Sequence, residues 1–306
     1  MDRLLEILFT TDFAYSIFRV TTPILFAALG ALISNRAGIV NIGLEGIMLT
    51  SALTGVLISA YTGSAWIGLI GAAAGGMLIA AILAFFTLEL KTDIILGGIA
   101  INAFASGGTV FILYLLTGEK GTSSTLASKM LPNVDIPLIQ DIPYLGLIVS
   151  GHHVLTYLSI AAAVLVYFLL KRTPLGLQIR AVGENPEAAQ SVGVRVKRIR
   201  YIALVLSGLF ASLGGAFMSM GYLSQFTRDM TAGRGWIALA AESMGRSTAV
   251  GTTLTSFLFG FAQALSNALQ LLKIPSELIQ TVPYLTTVIG LVIYAWRQTK
   301  KSQKGG

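Results

Sequence analysis

AWIGLIGAAAGGMLIAAILAFFTL, at Ala65–Leu88, decides the fold class, because its 24 residues carry no charge. At about 1.5 Å of rise per residue this run spans about 36 Å as a helix, more than the roughly 30 Å hydrocarbon core of a bilayer. The rest of the chain repeats the pattern. Hydrophobic residues make up 54% of the 306 and charged residues 11%, where a soluble domain carries roughly a quarter. Mean hydropathy is +0.76. The 33 Gly suit helices whose backbones approach closely inside a membrane. Working outward, the charged residues leave apolar segments at 17–33, 39–60, 65–88, 94–116, 154–170, 199–222, 236–244, 250–272 and 279–296. The expected fold is all-α: a polytopic transmembrane helical bundle of about eight or nine crossings in one transmembrane domain, 1–306. The stretch 1–12 is too acidic and polar for a signal peptide. At 236–244 the apolar run is too short to span, which predicts a broken crossing or half-helix whose ends are covered by protein.

Positive charge sets the expected orientation. Lys171, Arg172, Arg180, Arg195, Lys197, Arg198 and Arg200 crowd 171–200 against Glu184 and Glu187, and Arg297, Lys300, Lys301 and Lys304 follow the last segment. Cytoplasmic loops hold the Lys/Arg excess, so both stretches belong inside, with the C-terminus cytoplasmic. Counting back puts Arg36, Lys91 and Arg246 inside, and the 117–153 loop and N-terminus outside, with Arg19 snorkelling to the outer interface. An even number of crossings must join Arg200 to Arg297, so either the 236–244 piece crosses in broken form, which is the expectation, or one long segment does not cross. The net +7 then reflects topology and contact with anionic lipid, with no basic patch for nucleic acid.

Several chemistries are excluded. There is no Cys, and the two His are adjacent at 152 and 153, so no thiolate or His-based metal centre, nor a cofactor tied to one, is expected. No phosphate-binding Gly-x-x-x-x-Gly-Lys-Ser/Thr loop occurs, which assigns any ATP hydrolysis to another chain. The Gly71-x-x-x-Gly75 match predicts internal helix packing. His152-His153 reads as an interfacial pair.

Asn185-Pro186-Glu187-Ala188-Ala189-Gln190-Ser191-Val192-Gly193 has full helix punctuation. Asn is an N-cap, Pro sits at N1, Glu in the first turn and Gly after the end. So short a helix cannot stand alone in water and must dock on its own bundle or on a partner. Ala188 and Ala189 offer a smooth knob for a groove.

With Thr173-Pro174-Leu175-Gly176 and Arg180 to Glu184 upstream, this stretch resembles the coupling loop of bacterial ABC-importer permeases of the ribose, branched-chain amino-acid and nucleoside branch. A second match, Ser34-Asn35-Arg36-Ala37-Gly38-Ile39-Val40-Asn41-Ile42-Gly43-Leu44-Glu45-Gly46, is similar to the nucleoside-type members. A third, Gly233-Arg234-Gly235-Trp236-Ile237-Ala238-Leu239-Ala240-Ala241, resembles that branch's half-helix. The matches run in family order between Pro23 and Trp296. One departure follows the third: Glu242-Ser243-Met244-Gly245-Arg246-Ser247-Thr248-Ala249 stands where members carry a Gly-Lys-aromatic-Asn-Pro-like turn.

The resemblance implies a non-enzymatic permease subunit in a bacterial inner membrane. A cytoplasmic ATP-binding subunit would receive Gly183, Glu184, Asn185, Pro186, Glu187, Ala188, Ala189 and Gly193. A second permease chain, the same or homologous, would complete the pathway. An extracytoplasmic binding protein would deliver a nucleoside; a simple sugar or other small polar solute is the alternative.

Polar residues within the apolar segments are the substrate-pathway candidates. Glu45 either lines a cavity or braces a neighbouring helix, with Asn41 at i−4 expected on the same helical face. Glu242 is expected to pair with Arg246 at i+4. Asn102 can hydrogen-bond ribose or base edges without the desolvation cost of a charge, or bridge helices. Gln263, Asn267 and Gln270 form one polar stripe, facing either the passage or a dimer seam. An ion-coupled secondary transporter using Glu45 or Glu242 is the competing class, and the halves of the chain show no matching inverted repeat. An intramembrane enzyme has no residue set to support it.

Overall fold

The computed structural model describes residues 10–137, 142 and 144–270. The segment expected at 279–296 and the basic stretch after it lie outside the described residues. The helices are α1 (Thr11–Arg36), α2 (Leu44–Thr62), α3 (Ala65–Leu88), α4 (Ile94–Thr117), α5 (Leu145–Val149), α6 (Val154–Arg172), α7 (Pro174–Glu184), α8 (Pro186–Ser191), α9 (Val196–Phe217), α10 (Arg234–Met244) and α11 (Ala249–Leu269). α9 runs on into a π-turn at Met218–Tyr222. Two residue pairs form the only named strands among the described residues: β1 (Asn133–Val134) pairs antiparallel with β2 (His152–His153).

Among the described residues, α1, α2, α3, α4, α6 and α9 with its π-turn are long and apolar enough to cross a membrane. α11 has a crossing's length at 21 residues, but its Thr, Ser, Gln263 and Asn267 lower its hydropathy. α1 and α9 form the centre, with 78% and 72% of their apolar windows buried, whereas α4 with 17% lies at the edge. Small residues set the spacing. A Cβ on Gly71 would lie 2.3 Å from Ile58 Cδ1, and one on Gly75 2.8 Å from Thr54 Oγ1, so the Gly-x-x-x-Gly face of α3 packs on α2 as expected.

The charges separate by end. Arg36, the 171–200 stretch and the α10–α11 turn meet at one end: Arg36 Nε donates to Ser247 O, Arg200 Nε to Ala37 O, and Lys197 pairs with Glu89. This is the basic end. The 117–153 loop lies at the far end, where Tyr15 donates to Gly151 O and Arg19 donates to Tyr222 O while stacking on its ring.

Two corrections concern continuity. The segment expected as one crossing at 39–60 becomes helical only at Leu44. Gly38, with φ +73°, turns the chain at the basic end, and residues 39–43 then climb as non-helical backbone. Asn41 reaches Ser207, 11 residues into α9 from Val196, so this strand of chain stands about 16 Å inside the bundle. Asn41 therefore does not share a helical face with Glu45; it precedes the helix. The loop 171–200 also holds more structure than expected, because α7 precedes α8 and packs Ile179 and Val182 into the core.

The half-helix expectation agrees with the structure. From Tyr222 the chain meets the far-end loop, where Arg228 N donates to Gly121 O and Phe226 N to Ser123 Oγ. It then reaches mid-depth at Gly233, beside Glu45, and only there becomes α10. Eleven residues later α10 ends at the basic end. This is one crossing, half loop and half helix.

Candidate functional site: a half-helix clamped at both ends

The first turn of α2 and the start of α10 meet across 188 residues of sequence. Glu45 Oε1 accepts from Gly233 N at 2.8 Å and Oε2 from Gly235 N at 2.6 Å. The first N–H groups of any helix lack intrahelical partners, and inside a membrane no water supplies them. A carboxylate satisfies two at once and meets the positive end of the helix dipole. Glycine is required at the contact: a Cβ on Gly235 would lie 2.6 Å from Glu45 N. Of the two readings open for Glu45, the brace is the one observed.

The other end of α10 is held by α1. Asn35 Nδ2 donates to both oxygens of the buried Glu242, at 2.9 and 3.0 Å, and lies 3.1 Å from Ser247 Oγ. Asn35 thus holds Glu242 across 207 residues of sequence, a partner that the i+4 spacing to Arg246 did not foresee. The departure from the family turn now has a geometry. Arg246 and Ser247 both adopt left-handed φ, +56° and +49°, a conformation that non-glycine residues hold only under constraint. Asn35 and Arg36 supply that constraint through Ser247.

Asn41 and Asn102 hold the climbing segment. Asn41 is fully buried; its Nδ2 donates to Ser207 Oγ and its Oδ1 accepts from Gly43 N. Asn102 Nδ2 donates to Ile42 O at 2.9 Å and its Oδ1 accepts from Gly46 N at 2.8 Å. Non-helical backbone at membrane depth needs such partners. Gln263 and Asn267 do lie on one stripe, 3.4 Å apart and half-buried, with Gln270 exposed.

The helix punctuation of 185–193 is realised. Asn185 Oδ1 accepts from Ala188 N at 3.0 Å, Pro186 sits in the first turn, and Gly193 takes φ +88°. Glu184, Asn185, Glu187 and Ala188 are exposed, and Val192 is 78% exposed. Ala189 corrects the expected knob: at 3% exposure it faces inward and fastens α8 to the bundle, leaving Ala188 alone outward. Gly183 rests on the α1–α2 turn so closely that a Cβ would lie 2.1 Å from Arg36 O. His152 and His153, expected at the interface, are buried at 2% and 5% exposure. His152 stacks on Tyr15 at 3.9 Å, and His153 Nδ1 accepts from Leu155 N to cap α6.

The 34–46 stretch therefore touches both of the other sequence matches. It holds the 233–241 half-helix above through Glu45 and its following turn below through Asn35, and Gly183 of the coupling-loop match presses on Arg36. Residues 13–296 match the family described as the branched-chain amino acid transport system / permease component. The chain belongs to this permease family. It is 37% identical to the guanosine ABC transporter permease protein NupQ of Bacillus subtilis, covering 92% of each chain. It is 32% identical to the nucleoside ABC transporter permease protein NupC of Lactococcus lactis, over 90% of this chain and 89% of that protein. TsgC13 of Haloferax volcanii, an ABC transporter permease named for glucose, is 33% identical over 92% and 91%. A solved ABC transporter in an inward-facing conformation shares the fold, with a TM-score of 0.55 at 16% identity, covering 98% of this chain and 91% of that one. The protein is a multi-pass membrane permease.

Asn35 and the packing of Gly183 had no distinguishing signal in sequence beyond their place in the matched stretches, and Ser207 lies outside those stretches. Their roles exist only between segments far apart in the chain.

Proposed function

We propose that this permease forms the pathway of an ATP-driven importer for nucleosides, delivered outside by a binding protein. A separate cytoplasmic subunit hydrolyses ATP and seats the exposed face of Gly183–Gly193, chiefly Glu184, Glu187 and Ala188. A second permease chain, the same or homologous, completes the passage in a bacterial inner membrane, with the 171–200 loop cytoplasmic and the N-terminus outside. The observation that carries this reading is the joining of the docking helices, the α1–α2 turn and the clamped half-helix into one train of contacts. Movement of α7 and α8 bears on Arg36, and Asn35 and Glu45 pass it to both ends of α10. Glu45, Asn41 and Asn102 are then positioning residues that hold the walls of the pathway, while Gln263 and Asn267 face the passage or the seam between permeases. Such a switch requires the ATPase to bind two permease states with different affinity.

The nucleoside assignment rests on the relatives named for guanosine and nucleosides; the relative named for glucose supports a sugar as the second reading. Proton coupling through Glu45 is disfavoured, since protonating either carboxylate oxygen would take an acceptor from a backbone N–H already held. Uptake of labelled uridine and guanosine, in cells lacking the chain and in cells restored with it, tests the substrate. Competition by unlabelled nucleosides and not by glucose or leucine is expected. Competition by glucose alone would move the assignment to sugar.

A further inference from the structure

Two adjoining hollows along α6 and α11 belong to neither the clamped half-helix nor the exposed docking face. The first, of about 230 Å³, lies at the basic end and is lined by Arg36, Lys171 and Arg180, with Ser247 and Thr248. None of its lining residues carries negative charge. Arg180 Nε is buried there without a hydrogen-bond partner among the described residues, and Lys171 Nζ lies 4.8 Å from the centre of the Tyr167 ring. The pocket also sits at the start of α11, the positive end of that helix. The second hollow, of about 500 Å³, runs between Ile160, Val164 and Phe168 of α6 and Val250 and Leu254 of α11. Tyr167, Ala249 and Val250 line both, so the basic pocket opens into the apolar groove.

We propose that this composite is a seat for one anionic phospholipid, its phosphate among Arg36, Lys171 and Arg180 and an acyl chain along α6 and α11. An apolar groove on a membrane protein is ordinary by itself. What selects a lipid is its continuity with three cations and a buried guanidinium N–H without a partner among the described residues, at the basic end of the bundle. Arginine meets a phosphate through directed, charge-assisted hydrogen bonds. A choline headgroup brings an ammonium that the same cations repel. Free phosphate fills the pocket and gains nothing from the groove. The occupant would rest on Ser247, in the turn that ends the half-helix, and on α7, and so brace the basic end.

The test uses the full chain, purified with its ATPase partner in neutral detergent, and counts bound lipid by native mass spectrometry. Dioleoyl phosphatidylglycerol, dioleoyl phosphatidylcholine, dihexanoyl phosphatidylglycerol and inorganic phosphate are titrated separately. Phosphatidylglycerol with long chains is expected to bind at least about tenfold more tightly than the other three. Arg180→Gln should weaken it by about tenfold and Arg180→Lys by much less. Val164→Trp, which narrows the groove, should weaken the long-chain lipid and leave phosphate unchanged. Thermal melting checks folding of each variant, and Lys171→Gln replaces Arg180→Gln if that variant does not fold. Equal binding of the two dioleoyl lipids would overturn the proposal. So would phosphate binding as tightly as the lipid with no effect of Val164→Trp, which marks a free-anion site. No lipid binding at all, as when another part of the chain or a second copy fills the groove, would overturn it equally.

Discussion

Glu45 has a role that a single substitution can separate from its alternatives. Glu45→Ala removes both acceptors from the start of α10, and each unsatisfied N–H at membrane depth costs about 1–3 kcal/mol. Glu45→Gln keeps one acceptor oxygen but turns an NH₂ toward the second N–H. Both variants should melt several degrees lower than the parent and lose most uptake, with Gln intermediate. If Glu45 were a proton carrier, Gln would instead leave stability near normal and abolish only the dependence on a proton gradient. His153 carries a second prediction. Burial holds its imidazole, like that of His152, below the ordinary value of 6.5. The folded state therefore binds fewer protons than the unfolded state just below that pH, and stability falls as pH drops through this window toward the folded value. Protonation also removes the acceptor that caps Leu155 N. His153→Asn keeps a capping oxygen without titrating there. Melting temperature measured from pH 7.5 to 5 should fall for the parent and fall less for this variant; parallel curves would refute the assignment. The cap at Asn185 could be read from sequence because capping is local. The seat of Glu45 could not, because the start of α2 depends on Asn41, Asn102 and the half-helix.

At the level of elements, α7 and α8 form one unit whose inner face is packed on the bundle and whose outer face, the proposed docking surface, is exposed. Ala189 holds it to the bundle and Ala188 faces out, so the two neighbours should respond differently. Ala188→Trp should abolish uptake while insertion and melting temperature stay normal, because it blocks a partner surface. Ala189→Trp should lower stability itself, since overpacking a closed site costs about 1–3 kcal/mol. Normal uptake with Ala188→Trp would remove the docking assignment. Gly183→Ala tests transmission: its Cβ would fall 2.1 Å from Arg36 O, pushing α7 off the α1–α2 turn. ATP hydrolysis by the assembled complex should then continue with uptake much reduced. Unaltered coupling would place the route elsewhere. That α8 would be helical and docked was legible in its punctuation. Which alanine faced outward was not, because a six-residue helix has no hydrophobic period long enough to reveal its buried side.

For the whole molecule, length and hydropathy sufficed where each segment meets apolar surroundings along its full length, as in α3 and α4. They failed where the chain is polar or broken at depth. The 39–60 segment read as a continuous crossing because Ile39, Val40 and Ile42 are apolar, although their backbone is held by Asn41 and Asn102 and not by a helix. The half-helix at 236–244 was legible because its apolar run is too short to span and because charge parity, a property of the entire chain, favoured a broken crossing there. Together these features describe a permease whose broken and clamped segments are those that sequence periodicity describes least well. The claim that ATP hydrolysis elsewhere drives this train of contacts is tested most directly by uridine accumulation in proteoliposomes. These would hold the purified permease, its ATPase subunit and the binding protein, with ATP, with a non-hydrolysable analogue, and with ATP plus a protonophore. Accumulation with ATP that is untouched by the protonophore and absent with the analogue is expected. Accumulation that persists with the analogue and collapses with the protonophore would contradict ATP-driven import.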